Sequence, residues 1–327
     1  MSSGTQGVMF LLAIMVSWAI DIFAHNSEVH VKLENRLKSK VYLSPKITQF
    51  PGSVSNKTYY DIKFPKGHIA VKSFNAEVVD EAGDPVSLQE TYVHHWFAVR
   101  YYQNKVSKDI IIAGNSGLIC NLYNVTVDKD GRPLRPNYVG GLYCCYDGTQ
   151  CKVKNGVRNV SRNVYLKYTV KWVDWSDSIV PVKVFIFDVT DTWQHTGIHK
   201  CLFEYDVKKS TTGVATNNYT SSRRSSVSFP TAGDVVYGFA QQYIGGTGAS
   251  LYGEDGRVIC SSKPIYGKGN DVGDEAGYIV GMSTCYPKPG SVKIAKGETV
   301  TLESNYSSKK MHTGVLGLFY LLVAESS

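Results

Sequence analysis

Residues 164–173 read VYLKYTVKWV, and this stretch carries the pattern that decides the fold. Large apolar side chains recur at every second position, and lysine or threonine fills most of the positions between them. Successive side chains of a strand point to opposite faces, so the pattern predicts a strand with one buried face. Similar segments rich in β-branched and aromatic residues occupy 68–79, 91–102, 109–113, 180–189, 235–243, 250–260, 278–285, 292–303 and 315–324.

Turn sequences separate these segments and support the same fold class. The clearest are DKDGRP at 128–133, GEDGR at 253–257 and AKGE at 295–298. No segment shows a long helical period. We therefore predict an all-β protein built as a β-sandwich.

The amino terminus carries an export signal. Residues 8–24 are apolar, with one acid and no lysine or arginine, and this length suits a secretory signal. We predict a signal peptide over 1–24, cut after Ala24; an uncleaved anchor is the alternative. The chain ends in VAESS, without an anchor tail, so no stable membrane span is expected after cleavage.

Glycosylation sequons and charge agree with an extracellular site. The Asn-x-Ser/Thr triplets begin at Asn56, Asn124, Asn159, Asn218 and Asn305. The formal net charge is +7, and the basic residues are scattered rather than grouped. Nucleic acid is therefore excluded as a partner, whereas an acidic wall polysaccharide fits the positive charge.

The seven cysteines fit an oxidising compartment, and their odd number leaves at least one without an internal partner. In CCYDGTQC, a turn lies between Cys145 and Cys151, as in a loop closed by a disulfide; a zinc knuckle is the alternative. Cys260 and Cys285 are predicted to pair in the second domain, with Cys201 as the alternative partner.

The weakest patterning divides the chain into two domains. Residues 210–228 are rich in serine, threonine and asparagine and predict a surface loop or linker. We place the first domain at 25–190, the boundary region at 191–228 and the second domain at 229–327.

The pair His94-His95 is the candidate metal site. Two adjacent imidazoles in an apolar, aromatic segment favour copper or zinc. Neighbouring side chains on a regular strand point apart, so the pair meets one metal only where the strand is distorted or ends. The alternative is a structural role for both histidines.

Several longer motifs carry a resemblance to a known family. They are ETYVHHW, GGLYCCYDGTQC, YLKYTVKWVDW, PVKVFIFDVTDT, LYGEDGRVICSS, GYIVGMSTCYPKPGSV and HTGVLGLFYLLVAE. With these motifs the chain resembles the plant stress up-regulated Nod (nodulin nineteen) family and, more distantly, the copper type II, ascorbate-dependent monooxygenases. The distant resemblance implies two packed jelly-roll-like sandwiches, each with one copper.

When the copper ligands of those enzymes are matched to this sequence residue by residue, the resemblance implies an incomplete first copper site and a lost second copper site. His94-His95 matches the His-His pair of the first domain, but its third histidine is missing near Thr169. In the second domain, Gln241 and Tyr243 replace a His-x-His motif and Leu316 replaces a methionine. Met311 with His312, and Met282 with Cys285, are the nearby substitute ligands that we consider.

The resemblance therefore implies a secreted, stress-responsive binding protein of the plant apoplast or cell wall. We expect no catalytic residues and no cofactor except copper at the His94-His95 pair. The alternative is a copper-dependent, ascorbate-type monooxygenase with non-standard ligands. A third interpretation, copper chelation by a mature amino-terminal His25, is weaker because the rest of the chain does not resemble polysaccharide monooxygenases.

A second histidine pair lies in the motif WQHTGIHKC. His195 and His199 have the i, i+4 spacing of helical metal pairs, but their segment predicts a loop with solvated histidines.

The chain is short at the junction 114–120. The family resemblance implies a longer segment there, which would carry extra cysteines and a histidine. That loss accounts for the odd cysteine count and favours Cys120 as the unpaired thiol.

Overall fold

The computed structural model describes residues 5–11, 37–49, 57–88, 90–91, 93, 96–103, 110–112, 161–192, 204–211, 219–269 and 271–325. These residues form strands and no helix, which confirms the predicted all-β, sandwich-type fold. The strands are β1 (Thr5–Leu11), β2 (Lys38–Leu43), β3 (Ile47–Gln49), β4 (Thr58–Tyr59), β5 (Ile69–Val79), β6 (Phe97–Gln103), β7 (Ile110–Ile112), β8 (Arg162–Asp174), β9 (Lys183–Asp188), β10 (Glu204–Val207), β11 (Thr220–Ser228), β12 (Gly233–Gln241), β13 (Gly246–Tyr252), β14 (Val258–Ser262), β15 (Pro264–Tyr266), β16 (Ile279–Met282), β17 (Thr284–Cys285), β18 (Lys293–Ile294), β19 (Thr299–Ser307), β20 (His312–Leu316) and β21 (Leu318–Glu325).

The segment that predicts the fold, residues 164–173, lies in β8 at the centre of a sheet. β2 and β3 pair with one edge of β8, and β5 pairs with the other. Val164, Leu166, Tyr168 and Val170 are buried while the residues between them are half-buried, as the period of two predicts. The hydroxyl of Tyr168 donates a hydrogen bond to the carbonyl of Lys63 at 2.6 Å.

Two sheets in the carboxy-terminal part form a sandwich around one apolar cluster. One sheet has the strand order β17-β12-β21-β9, with β18 also paired to β12, and the other has the order β11-β19-β13-β14. Each large apolar side chain buried here stabilises the fold by roughly 1.5–3 kcal/mol. The cluster includes Phe185, Phe187, Phe229, Leu251, Leu302, Phe319 and Leu321.

The predicted loop over residues 210–228 is wrong for its second half. Thr220–Ser228 is strand β11, and it pairs with β19 along its whole length. The positions of β11 that face the sandwich are mostly polar, so no hydrophobic alternation marks the strand in the sequence. Ser225 donates a hydrogen bond to the carbonyl of Asp191 at 2.7 Å, and the guanidinium of Arg223 lies 4.8 Å from the ring centre of Tyr205.

The pairing of β9 also bears on the domain boundaries. β9 lies within the predicted first domain, 25–190, yet it pairs with β21 of the predicted second domain. Residues 193–203 and 212–218 of the predicted boundary region, 191–228, lie outside the described residues. The division of the chain into two domains stays a prediction.

The amino-terminal strand and the strand after the histidine pair lie side by side. β1 pairs with β4 and β6, and β6 pairs with β7. β1 falls within the predicted signal peptide, whose cleavage stays a prediction. β6 begins at Phe97, so the strand predicted over 91–102 starts later, and Val93 and Trp96 on either side of the pair are not in a strand. Within the described part of the chain, no helix has the length and apolar character needed to cross a membrane.

Candidate functional site

The structure brings together the three positions that the resemblance assigns to a second copper site. Gln241 is the last residue of β12 and pairs with Leu318, and Leu316 ends β20 two residues earlier in the chain. Tyr243 and Leu316 pack in one apolar cluster with Leu318 and Tyr320. Gln241, Tyr243 and Leu316 are all buried. We call this group the Gln241 cluster.

Hydrogen bonds from two tyrosines hold the Gln241 cluster together. The Tyr306 hydroxyl accepts a hydrogen bond from the backbone N–H of Tyr243 at 2.8 Å and donates one to the carbonyl of Leu316 at 2.6 Å. The Tyr320 hydroxyl donates to Gln241 Oε1 at 3.1 Å. Because the polar groups are buried and paired, this part of the site is a packed, hydrogen-bonded core.

The turn after β12 is fixed by the neighbouring glutamine. Gln242 Nε2 lies within hydrogen-bonding distance of Ser304 Oγ and of two backbone carbonyls, and Gln242 Oε1 accepts from the N–H of Gly248 at 2.9 Å. The side chain therefore joins the end of β12 to both β13 and β19. This fixes the direction in which Tyr243 leaves the strand.

His312 is the histidine nearest to the cluster in the described structure. It begins β20, is 3 % exposed and lies 6.4 Å from the Tyr306 ring, measured between ring centroids. A Cβ at Gly245 would stand 2.4 Å from His312 Cε1, and Gly245 has φ +96°. Only glycine allows this approach, so the imidazole is packed tightly beneath the turn.

The residues at the cluster do not fit copper. Copper that cycles between two oxidation states is held by imidazole nitrogen and soft sulfur. Gln241 offers an amide oxygen that already accepts from Tyr320, Tyr243 offers a phenol, and Leu316 offers no donor. Among the described residues, no group of three or more histidine, cysteine or acidic side chains is arranged to hold a metal.

Of the substitute ligands that the sequence suggests, only His312 is buried beside the Gln241 cluster. Met282 packs partly buried against the main apolar cluster, and Met311 is an exposed side chain. Cys285 forms a disulfide with Cys260 at an S–S distance of 2.05 Å, which is the pairing that the sequence predicts. The sulfur atoms of Met282 and Cys285 thus belong to the core of the sandwich.

Burial shifts the acid–base groups around the cluster towards their neutral forms. Glu204 pairs with Leu316, and burial, followed by the charge of Asp206, raises the pKa of Glu204 to about 7. Burial is also the larger cause, and Asp188 the smaller, of the raised pKa of Tyr320. Tyr320 therefore stays protonated and can serve as a hydrogen-bond donor.

Most other predicted site residues lie outside the described part of the chain. These are the metal pair His94 and His95, the loop cysteines Cys145 and Cys151, and the sequons at Asn56, Asn124, Asn159 and Asn218. His25, His195 and His199 also lie outside it. Asn305 is described: it lies half-buried in β19, and its Nδ2 donates to Glu303 Oε1 at 2.9 Å. Glycosylation at all five sequons stays a prediction.

The sequence did not reveal the tyrosines that hold the cluster. Tyr306 and Tyr320 lie in segments whose apolar pattern predicts buried strands. That pattern indicates that the two side chains are buried, but it does not identify the hydrogen-bond partners of their hydroxyls. A buried tyrosine usually finds a partner for its hydroxyl. That tendency was the available signal, although it does not identify the acceptor.

The fold and the Gln241 cluster define an all-β, sandwich-type protein with a buried, hydrogen-bonded core at those three positions. The chain belongs to the Stress up-regulated Nod 19 family, whose model matches residues 35–117 and 113–326. The two matched segments meet at 113–117, within the junction where the sequence predicts a missing segment. Membership makes the chain one of a group of stress up-regulated plant proteins.

Other comparisons add little. None of the curated proteins matches the chain. A VP2 subviral particle of infectious bursal disease virus matches with 11 % identity and a TM-score of 0.24, covering 99 % of this chain and 72 % of that chain. The Gt strain of the same virus matches with 12 % identity and a TM-score of 0.21, covering 88 % and 71 %. These low TM-scores carry no information on function.

Proposed function

We propose that the chain is a secreted binding protein of the plant cell exterior, on a scaffold related to copper monooxygenases but without their hydroxylase chemistry. The observation that carries the proposal is the Gln241 cluster. Gln241, Tyr243 and Leu316 supply an amide, a phenol and an alkyl group, and the amide oxygen of Gln241 accepts a hydrogen bond from Tyr320. Such groups stabilise the fold and leave no imidazole–thioether set for copper.

Copper stoichiometry tests the proposal. The secreted protein is titrated with Cu(I) and Cu(II), and oxygen and ascorbate consumption are followed with glycine-extended peptides and phenethylamines. We expect no coupled turnover and no copper with sulfur ligation. His94→Ala should remove any residual copper bound at the first site. Coupled turnover by the unmodified protein that disappears in His94→Ala would overturn the proposal in favour of the enzyme.

A matched variant serves as the positive control for copper ligation. Gln241→His, Tyr243→His and Leu316→Met together restore the ligand types of the copper enzymes at positions that the structure brings together. We expect this variant to gain one copper with sulfur scattering in X-ray absorption. The unmodified protein, measured beside it, should show none.

A copper-dependent monooxygenase with non-standard ligands is the second candidate, and His312 is the observation that favours it. This buried imidazole stands four residues before Leu316. If it were a ligand, His312→Ala would abolish copper binding in a protein that still folds. Under our proposal the substitution leaves copper stoichiometry unchanged.

Net charge suggests the kind of partner. With a formal net charge of +7, the protein is suited to a polyanion such as acidic wall polysaccharide. We expect binding to polygalacturonate that weakens with added salt, and no binding to a neutral glucan. Equal retention on both polysaccharides would remove the electrostatic basis for this partner.

A further inference from the structure

The loop between β15 and β16, residues 267–278, has one buried side chain where an exposed one is expected. The loop closes through backbone hydrogen bonds from Gly267 N to Tyr278 O and from Gly269 N to Asp274 O, both 2.9 Å. Among the described residues from 268 to 277, all are exposed or half-buried except Glu275, which is 0 % exposed. The most deeply buried residue of the loop is therefore an acid.

The carboxylate of Glu275 joins two distant parts of the chain. Glu275 Oε2 accepts from the backbone N–H of Gly273, within the loop, at 3.0 Å. Glu275 Oε1 accepts from the backbone N–H of Leu88, 187 residues earlier, also at 3.0 Å. Each oxygen thus has its own backbone donor.

The Leu88 side of this contact is itself anchored. The N–H groups of Glu90 and Thr91 donate to the carbonyl of Ser87 at 2.9 and 3.0 Å, which forms a turn around Leu88. Val86, just before the turn, packs with Ile47 and Val164 at the edge of the β8 sheet. The turn is therefore held against the amino-terminal sheet through Val86, and it ends three residues before the His94-His95 pair in the sequence.

Physical chemistry explains why this contact is specific. A buried carboxylate is unfavourable unless hydrogen bonds satisfy it, and bonds from N–H groups to an ionised acceptor are stronger than neutral ones. Glutamine has the same shape but would present an NH₂ group to one of the two N–H donors. Aspartate keeps the charge but is one methylene shorter, so it cannot span both donors.

We infer that Glu275 is a latch that fastens the 267–278 loop of the carboxy-terminal sandwich to the Leu88 turn of the amino-terminal sheet. Withdrawing the carboxylate breaks both hydrogen bonds together. The loop and the turn therefore open as one unit, which couples the carboxy-terminal sandwich to the Leu88 turn. This coupling does not depend on whether copper binds.

Hydrogen exchange tests the latch in the intact protein. In Glu275→Gln and Glu275→Asp, the amides of Leu88 and Gly273 should exchange at least about tenfold faster, while Val170 in β8 and Leu302 in β19 keep their rates. Asp274→Asn is the matched control: Asp274 Oδ1 accepts only from the nearby N–H of Lys268 among the contacts described, so Leu88 should be unaffected.

If both variants fail to fold, amide exchange in the unmodified protein still tests the latch. The amides of Leu88 and Gly273 should then share one opening equilibrium across a urea series, because one carboxylate holds both. Opening free energies of the two amides, each corrected for the intrinsic exchange rate of its residue, that respond differently to urea would overturn the latch. Unchanged Leu88 exchange in folded Glu275→Gln, or equal acceleration in Asp274→Asn, would also overturn it.

Discussion

Single buried polar residues determine the local arrangement of this protein. Tyr306 is fully buried in β19, and its hydroxyl connects the backbone after β12 to the end of β20. Removal of such a hydroxyl leaves an N–H and a carbonyl without their partner, which is more costly than losing one exposed hydrogen bond. The chemistry of the Gln241 cluster therefore depends on tyrosines outside the three positions that the resemblance singles out.

Glu204 should make stability depend on pH. Its folded-state pKa is raised from 4.5 to about 7, so between these values the folded state binds one more proton than the unfolded state. Stability should then fall as pH rises from about 4.5 to about 7, by about 3 kcal/mol. Glu204→Gln, which cannot ionise, should lose this dependence and be more stable than the unmodified protein at pH 8.

Urea unfolding at pH 4 and pH 8 measures this difference. Glu77→Gln is a suitable control, because Glu77 lies on β5 in an exposed ion pair with Lys167, worth at most about 1 kcal/mol. A difference between Glu204→Gln and the unmodified protein that is the same at both pH values would contradict the argument.

At the scale of elements, the sequence predicted strands well where one face is apolar and poorly where both faces are polar. β8 follows a segment recognised by its side-chain alternation, and β21, which is buried at four consecutive positions, lies in the apolar segment 315–324. β11 was missed because its half-buried positions are mostly polar: Ser225 donates a hydrogen bond to the carbonyl of Asp191, and the guanidinium of Arg223 lies over the Tyr205 ring. The hydrogen-bond partners of such residues lie far away in the sequence, so a local pattern cannot reveal them.

Limited proteolysis should distinguish the strand from the predicted linker. Arg223 and Arg224 form a dibasic trypsin site in β11, which is paired with β19 throughout. Lys208 and Lys209 form another after β10 and are exposed without strand pairing. We expect cleavage after Lys208 or Lys209 to be at least about tenfold faster than at the arginines. Equal cleavage at both sites would mean that β11 is open in solution.

At the scale of the whole molecule, residues far apart in the sequence meet in the buried core around Gln241. Tyr243 and Leu316 come from two separate places in the chain and pack in one apolar cluster, and Gln241 joins that cluster through the hydrogen bond from Tyr320. The latch at Glu275 had no signal in the sequence, because an acid in a polar loop is ordinarily exposed. Its burial becomes visible only when Leu88 is brought beside it.

The cysteine count leads to a prediction for the complete chain. Of seven cysteines, Cys260 and Cys285 form one disulfide. The remaining five can form at most two further pairs, so a monomer retains at least one thiol. Cys120 is the favoured position, because it ends the short junction 114–120, beside the overlap of the two family matches at 113–117.

Alkylation of the unfolded, unreduced protein followed by peptide mapping checks this prediction. We expect one labelled thiol per monomer, or else a dimer linked by a disulfide that reduction separates. Cys120→Ser should remove the label or the dimer, whereas Cys260→Ser should add a second thiol by freeing Cys285, because it breaks the sandwich disulfide. A monomer with no thiol at all would mean that one cysteine carries another modification. A label on Cys285 in the unmodified protein would contradict the disulfide in the core.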